Sequence, residues 1–250
     1  MQWNWQQPDW RNFRWDFRRL RKAEELFLLG SGLIAGTVAH LNDRDREQLT
    51  VEAIGAEALT TSEIEGEILD RASVQSSIRK QLGLATDRRR VKPAEQGIAE
   101  LMVNLYRTYA EPLSDAVLFD WHRMVTNGRR DLRNLGAYRT DAEPIQVVSG
   151  SSYAPRVHFE APPAERVPEE MARFVEWFQR TGPAGSDPLP ALTRAGIAHI
   201  YFESIHPFED GNGRIGRILI PLFLYQKRAL SQPMFYLSEY PVRWYKSCRN

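Results

Sequence analysis

The chain has 250 residues, with 33 Lys and Arg against 32 Asp and Glu. That balance excludes a global charge aimed at nucleic acid, an anionic membrane or a polyanionic substrate, so any phosphate chemistry has to be local. Cys248 is the only cysteine, which excludes a disulfide framework and a Cys-rich metal site and suits a reducing cytosol. No segment reaches the roughly 18 apolar residues of a membrane span, and the N-terminus has no basic stretch followed by an apolar run, so a cytoplasmic, soluble protein without a membrane partner is expected. The length suits one catalytic body with an N-terminal appendage.

In residues 1–18, Trp3, Trp5, Trp10 and Trp15 are interleaved with Arg11, Arg14 and Arg18. Such interleaving can stack single-stranded bases, but few lysines reinforce the charge. The favoured reading is that the rings pack on the adjoining domain while the arginines face water, so nucleic acid is not an expected partner. Helical spacing runs from Phe17 to Asn42 and again from Asp45 to Gly83, with Ile54, Ala58, Ile68 and Leu69 carrying the period and Gly83 as its stop. "LATDRRRVKP" reads as a solvated loop ending at Pro93. Helical spacing resumes over residues 94–110 and 114–126, with Pro112 as the break and Ser114 as the N-cap. "IQVVSGSSYAPRVHF" holds two β-prone runs, Ile145–Val148 and Arg156–Phe159, around a Ser/Gly/Pro centre, and predicts a hairpin. Further helices are expected over about 168–180, from Leu192 to Ile205, and from Gly213 to Ala229, the last apolar on nearly all sides and therefore central. The expected fold is all-α, a helical bundle carrying one β-hairpin.

The stretch "SIHPFEDGNGRIGRILIPLFL", Ser204 to Leu224, concentrates the chemistry. Gly211, Gly213 and Gly216 satisfy G-x-G-x-x-G, but a dinucleotide fingerprint should follow a strand, and here a helical segment precedes it. No G-x-x-x-x-G-K-[ST] occurs in the chain. What remains is a glycine-rich turn whose backbone N–H groups open onto the N-terminus of a long helix, a setting that favours phosphate. Arg214 and Arg217, three apart on the first turn, can hold further phosphate oxygens by bidentate contacts. Asp210 is a hard oxygen ligand suited to Mg²⁺, which takes few protein carboxylates when it bridges phosphates. Together these groups describe a nucleoside triphosphate with its metal. His206 shares the same short loop and can accept a proton from a hydroxyl nucleophile attacking phosphorus. His40, His122, His158 and His199 lack such company and are read as structural.

"HPFEDGNGRIGR", His206 to Arg217, resembles the Fic motif H-x-F-x-[DE]-G-N-G-R-x-x-R at every specified position. "GAYR" at Gly136–Arg139, the hairpin, and "VPEEM" ahead of a helix bearing Trp177 are also similar to a Fic core, and "WNWQQPDW" with "FRWD" resembles the N-terminal extension of a bacterial Fic subgroup. The resemblance covers most of residues 1–238. It implies a protein adenylyltransferase that moves AMP from ATP to a Ser, Thr or Tyr hydroxyl of a target protein, with Mg²⁺ as cofactor and self-modification allowed. It further implies His206 as general base and Asp210 as the Mg²⁺ ligand. Gly211, Asn212 and Gly213 would form an anion hole for the α- and β-phosphates, completed by Arg214, and Arg217 would hold the γ-phosphate. Ile145, Gln146, Val147 and Val148 would be the target-aligning flap, which works by strand addition. With Asp210, Asn212 and Arg217 in place the chain departs from the Doc-like kinases.

"TSEIEG", Thr61 to Gly66, resembles the inhibitory motif [ST]-x-x-x-E-[GN] of Fic proteins whose inhibitor helix lies on the N-terminal side. Thr61 and Glu65, four apart, share a helix face, and Gly66 lets that face approach another backbone. The competing reading is a solvated glutamate between Glu63 and Glu67. The division implied is an extension with the inhibitory helix over 1–93, a catalytic core over 94–238 and a tail over 239–250. In that tail Pro241 stands where the family's helix continues, so the C-terminus reads as shortened or frame-altered. Two other functions remain open: a de-AMPylating hydrolase or transferase of another nucleotide, and a non-catalytic ATP-binding module of toxin–antitoxin type. A homodimer is compatible with any of them.

Overall fold

A computed structural model describes residues 2–87, 89–149 and 156–226, the last six as backbone only. The tail read from Pro241 onward lies outside the described residues, as do Cys248 and the end of the last helix. Eight α-helices and one antiparallel hairpin are present among the described residues, so the chain is a helical bundle with a single β element.

Side-chain caps set four of the helix starts. Asp16 accepts from the backbone N–H groups of Arg18 and Arg19 to open α1, Phe17–Ala39. Asn42 accepts from Asp45 N to open α2, Asp43–Ile64, and Asp70 accepts from Ser73 N to open α3, Arg71–Gln81. Pro93 opens α4, Pro93–Thr108, where proline's missing N–H is no loss. Buried Glu95 ties that start to α3, its two oxygens accepting from Lys92 N at 3.0 Å and Asp70 N at 3.2 Å. Ser114 caps α5, Asp115–Val125, as its position predicts. The strands are β1, Gln146–Ser149, and β2, Arg156–Glu160, paired antiparallel with an irregularity between Val147 and Val148. The bundle closes with α6, Val167–Arg180, α7, Ala191–Ile205, and α8, Asn212–Gln226.

The continuous helical run expected from Asp45 to Gly83 is instead two helices. Gly66 adopts φ +81°, a left-handed C-terminal turn that ends α2, and Asp70 restarts the chain as α3. Ile68, whose spacing continues the apolar period, lies in the link and is 79% exposed. Gly83, at φ +77°, does end α3, and Leu84 N–H donates back to Arg79 O at 2.9 Å.

One hydrophobic core takes Val51, Ile54, Ile78, Leu101 and Trp121 from the first half of the chain and Phe174, Phe202 and Phe208 from the second. α7 and α8 pack on each other, with α2 and α5 against α8 and with α1 and α6 against α7. Of the N-terminal tryptophans, Trp3, Trp5 and Trp10 pack on the body as expected from the sequence, whereas Trp15 is 41% exposed. Trp5 is buried and donates from Nε1 to Glu160 O at 2.6 Å, and Trp10 Nε1 donates to Glu170 at 3.0 Å. Glu170 also pairs with Arg11 at 3.1 Å, so that arginine is held by a buried carboxylate rather than left in water. Glu24 on α1 reaches the N-terminus of α7, accepting from Thr193 N at 2.8 Å and Leu192 N at 3.2 Å.

Candidate active site

The site is a turn between the C-terminus of α7 and the N-terminus of α8. α7 ends at His206, whose backbone is left-handed (φ 51°, ψ 61°). Its N–H still donates to Phe202 O at 3.0 Å, and its carbonyl accepts from Arg139 Nε at 2.7 Å. The buried Arg139 guanidinium also donates to Pro162 O at 2.5 Å, and Arg139 N–H donates to Pro207 O at 3.0 Å. One arginine therefore rivets the turn to the segment that follows the hairpin. Phe208 is fully buried and stacks on the His122 ring, 4.3 Å between centroids and nearly parallel. Asn212 closes the loop: its Oδ1 accepts from Phe208 N at 2.9 Å and its Nδ2 donates to Phe208 O at 2.8 Å. The Asn212 amide is thus spent on the loop, and what it can offer a ligand is its backbone N–H.

The loop leads into α8, whose first-turn N–H groups are the unpaired donors of any helix start. Gly211 has φ +82°, which a side chain would strain. At Gly213 a methyl group would collide with the carboxylate of Glu65. Asp210 accepts from Gly211 N at 2.6 Å and is ion-paired with Arg129, while Arg214 Nη2 stands 3.9 Å away.

The His206 imidazole is held well below its ordinary value, at about 4. Desolvation is the largest cause and the charge of Arg139 the next; a hydrogen bond to the Glu203 backbone carbonyl and the charges of Glu65 and Asp210 oppose them. The ring is therefore neutral near pH 7. A neutral imidazole carries one proton and leaves its other nitrogen as a base. Glu203 itself is pushed up to about 7, chiefly by burial, with Arg217 opposing and Glu65 adding to the rise.

The sequence-predicted inhibitory residues converge on this turn from α2. Arg217 donates from Nε to Thr61 Oγ1 at 2.9 Å, and from Nη2 to Thr61 O at 3.1 Å and to Glu65 Oε1 at 2.5 Å. The Arg217 side chain is only 7% exposed while that of Glu65 is 39% exposed, so the guanidinium is desolvated and the carboxylate is not. Arg214 is bound in the same way by Glu67, 2.8 Å from Nη1.

The hairpin residues Ile145–Val148 stand apart from this constellation. Val147 and Val148 are each half-exposed, and in the two-stranded sheet each strand has one edge without a partner strand among the described residues. Arg139, Arg129, Glu67 and Glu203 have no role in the sequence-based site. Only Arg139 carried a signal, as the last residue of "GAYR".

Asp210 is a single, partly exposed carboxylate, and no group of three or more metal-binding side chains occurs among the described residues. That donor set fits Mg²⁺ only as an ion carried mainly by phosphate oxygens and water, with Arg129 displaced from the carboxylate.

A family model for Fic/DOC matches residues 112–224, and one described as a domain of unknown function (DUF4172) matches residues 3–84. The chain is 28% identical over 134 residues to a probable protein adenylyltransferase of Aquifex aeolicus (strain VF5), covering 54% of this chain and 37% of that protein. It is 40% identical over 60 residues to the protein adenylyltransferase fic-1 of Caenorhabditis briggsae, covering 24% of this chain and 11% of that one. The chain thus spans well under half the length of these curated relatives. Among solved structures, a Fic family protein from Desulfovibrio desulfuricans G20 superposes with a TM-score of 0.58 at 25% identity, over 91% of this chain and 63% of that one. A Fic domain containing signaling protein from Bacteroides thetaiotaomicron VPI-5482 gives 0.62 at 20% identity, over 85% of this chain and 76% of that one, a likeness of fold. Because the Fic/DOC match spans α5 to α8 and includes the whole turn from His206 to Arg217, and because the bundle around it superposes on solved Fic proteins, the chain carries a Fic domain over residues 112–224.

Proposed function

We propose that the chain is a protein adenylyltransferase, transferring AMP from ATP to a Ser, Thr or Tyr hydroxyl of a target protein, and that residues 1–93 carry its inhibitor while residues 94–238 form its catalytic core. The observation that carries the reading is the placement of His206 beside a glycine turn that opens onto the α8 N-terminus, with Arg214 on the first turn of that helix and Arg217 on the second. The names of the adenylyltransferase relatives agree with it.

In this reading the backbone N–H groups of Gly211, Asn212 and Gly213 and the Arg214 guanidinium hold the α- and β-phosphates, and Arg217 holds the γ-phosphate. The target hydroxyl oxygen attacks Pα while the unprotonated nitrogen of His206 takes its proton. The bond from Pα to the bridging oxygen breaks, and pyrophosphate leaves with that electron pair. Asp210 would hold Mg²⁺, which when bound neutralises charge on the phosphates. The flap residues Ile145, Gln146, Val147 and Val148 would add the target backbone as a strand beside β1. In the conformation described here, Glu65 and Thr61 hold the arginine that the γ-phosphate would need, so the chain is restrained until α2 gives way.

Incubating the Glu65→Gly variant with α-labelled ATP, Mg²⁺ and a cell lysate should label protein, the chain itself included, by at least tenfold more than the parent. A further His206→Ala change should abolish that label. Label equal to the parent in a folded, ATP-binding Glu65→Gly protein would remove Glu65 as inhibitor; a mass increment other than AMP would replace the transferred group.

A further inference from the structure

We infer that Glu67 is a second inhibitory carboxylate, which withholds Arg214 from the α- and β-phosphates while Glu65 withholds Arg217 from the γ-phosphate. The inference rests on the phosphate assignments given under Proposed function and extends the regulation of that site.

The geometry comes from the end of α2. Glu65 N–H donates to Ser62 O at 3.1 Å, Gly66 N–H to Glu63 O at 2.9 Å, and Glu67 N–H back to Ser62 O at 3.0 Å. With Gly66 at φ +81° this is a tight left-handed turn. It lets Glu65 and Glu67 reach two arginines one helical turn apart on α8. Arg214 Nη1 meets Glu67 Oε2 at 2.8 Å, and Arg217 Nη2 meets Glu65 Oε1 at 2.5 Å. The two pairs are built alike, each a nearly buried guanidinium facing a carboxylate whose own side chain is more than a third exposed. Such a carboxylate can leave without unfolding its helix, whereas the arginine stays fixed.

Arg214 is also poised for another ligand. Its Nε is buried without a hydrogen-bond partner among the described residues, an unmet donor of the kind a phosphate oxygen would satisfy. While Glu67 holds Nη1, an incoming phosphate must either share the guanidinium with a second anion or displace it. Glu63, two residues before Glu65 on the same segment, is exposed and makes no ion pair among the described residues, so it serves as an internal control.

ADP separates the two arms, because it has the α- and β-phosphates but no γ-phosphate for Arg217. Calorimetric titration of Mg·ADP and Mg·ATP into the full chain and its Glu65→Gly, Glu67→Gln, double and Glu63→Gln variants, alongside a transfer assay, tests the inference. Glu67→Gln should tighten ADP and ATP alike, by about three- to tenfold, Glu65→Gly should favour ATP over ADP, and Glu63→Gln should do nothing. Glu67→Asp, which keeps the charge but shortens the reach, should fall between parent and Glu67→Gln and guards against a fold defect in either variant. Unchanged ADP affinity in Glu67→Gln, or a gain confined to ATP, overturns the inference. If no variant transfers AMP yet Glu67→Gln still tightens ADP, the adenylyl-transfer reading fails and the Glu67 contact stands as a gate on nucleotide binding.

Discussion

His206 occupies a left-handed backbone conformation, which costs a residue with a Cβ about 1–2 kcal/mol. The surrounding contacts over-determine it: Arg139 holds the His206 carbonyl, Phe202 accepts from its N–H, and buried Phe208 pins the next residues against His122. Replacing His206 with Ala should lower transfer by about 10²–10⁴-fold, as loss of a general base typically does, and leave ATP affinity within about twofold. A transfer rate unchanged by that substitution would remove the imidazole from the chemistry. Because the free-enzyme ring is held at about 4, kcat/KM for a constitutively active variant should stay level as pH falls through the ordinary histidine value of 6.5 and drop only toward 4. At this scale the sequence was most legible where function is contiguous: His206, Asp210, Gly211 to Arg214 and Arg217 lie within twelve positions. Arg139, Arg129, Glu67 and Glu203 reach the turn from distant parts of the chain or from the previous turn of α7. No spacing rule connects them to it.

The elements bearing this turn were legible to the degree that their apolar period was real. α4 to α7 follow their predicted ranges closely, because proline or serine marks their starts and their inward faces are apolar. The break between α2 and α3 was hidden, since Ile68 and Leu69 prolong the period although Ile68 faces solvent. Only the left-handed turn at Gly66 ends α2, and that turn aims the carboxylates of Glu65 and Glu67, the proposed inhibitors, at α8. A methyl group at Gly66 would meet nothing within 4 Å, so Gly66→Ala tests conformation and not packing. The variant should lose about 1 kcal/mol, read as a fall of about 2–4 °C in Tm, and should raise transfer as Glu65 and Glu67 lose their aim. A fall in Tm with no rise in transfer would mean that the turn stabilises the chain without restraining it. In the hairpin, Val147→Pro removes one backbone donor from the proposed flap. It should impair modification of a protein target by more than tenfold and ATP binding by less than twofold; equal losses would point to misfolding.

Across the whole molecule, the N-terminal residues and the α7–α8 region are joined by several buried or partly buried links. Glu24 caps α7, Asn4 Nδ2 donates to Ser204 Oγ at 2.6 Å, and Thr61 and Glu65 hold Arg217. Stability and titration at the turn are therefore coupled, and two groups there oppose each other. Folding lowers His206 from 6.5 to about 4, so between those values the unfolded chain binds the extra proton and stability rises with pH. Folding raises Glu203 from 4.5 to about 7, so between those values the folded chain holds the extra proton and stability falls as pH rises. The two windows overlap from about 4.5 to 6.5, where their slopes cancel and the pair contributes an almost pH-independent stability. Removing one member should uncover the other. In its own Tm–pH curve Glu203→Gln should show Tm climbing from about pH 4 to 6.5, the His206 window, and His206→Ala should show it falling from about pH 4.5 to 7, the Glu203 window, each by about 3 °C per pH unit. Glu65 contributes to holding the Glu203 proton, so Glu65→Gly should shift the lower-Tm limb of the His206→Ala curve toward acid. Parallel Tm–pH curves for the parent, Glu203→Gln and His206→Ala would mean that neither group titrates differently on folding, and the neutral base assigned to His206 would lose its physical cause.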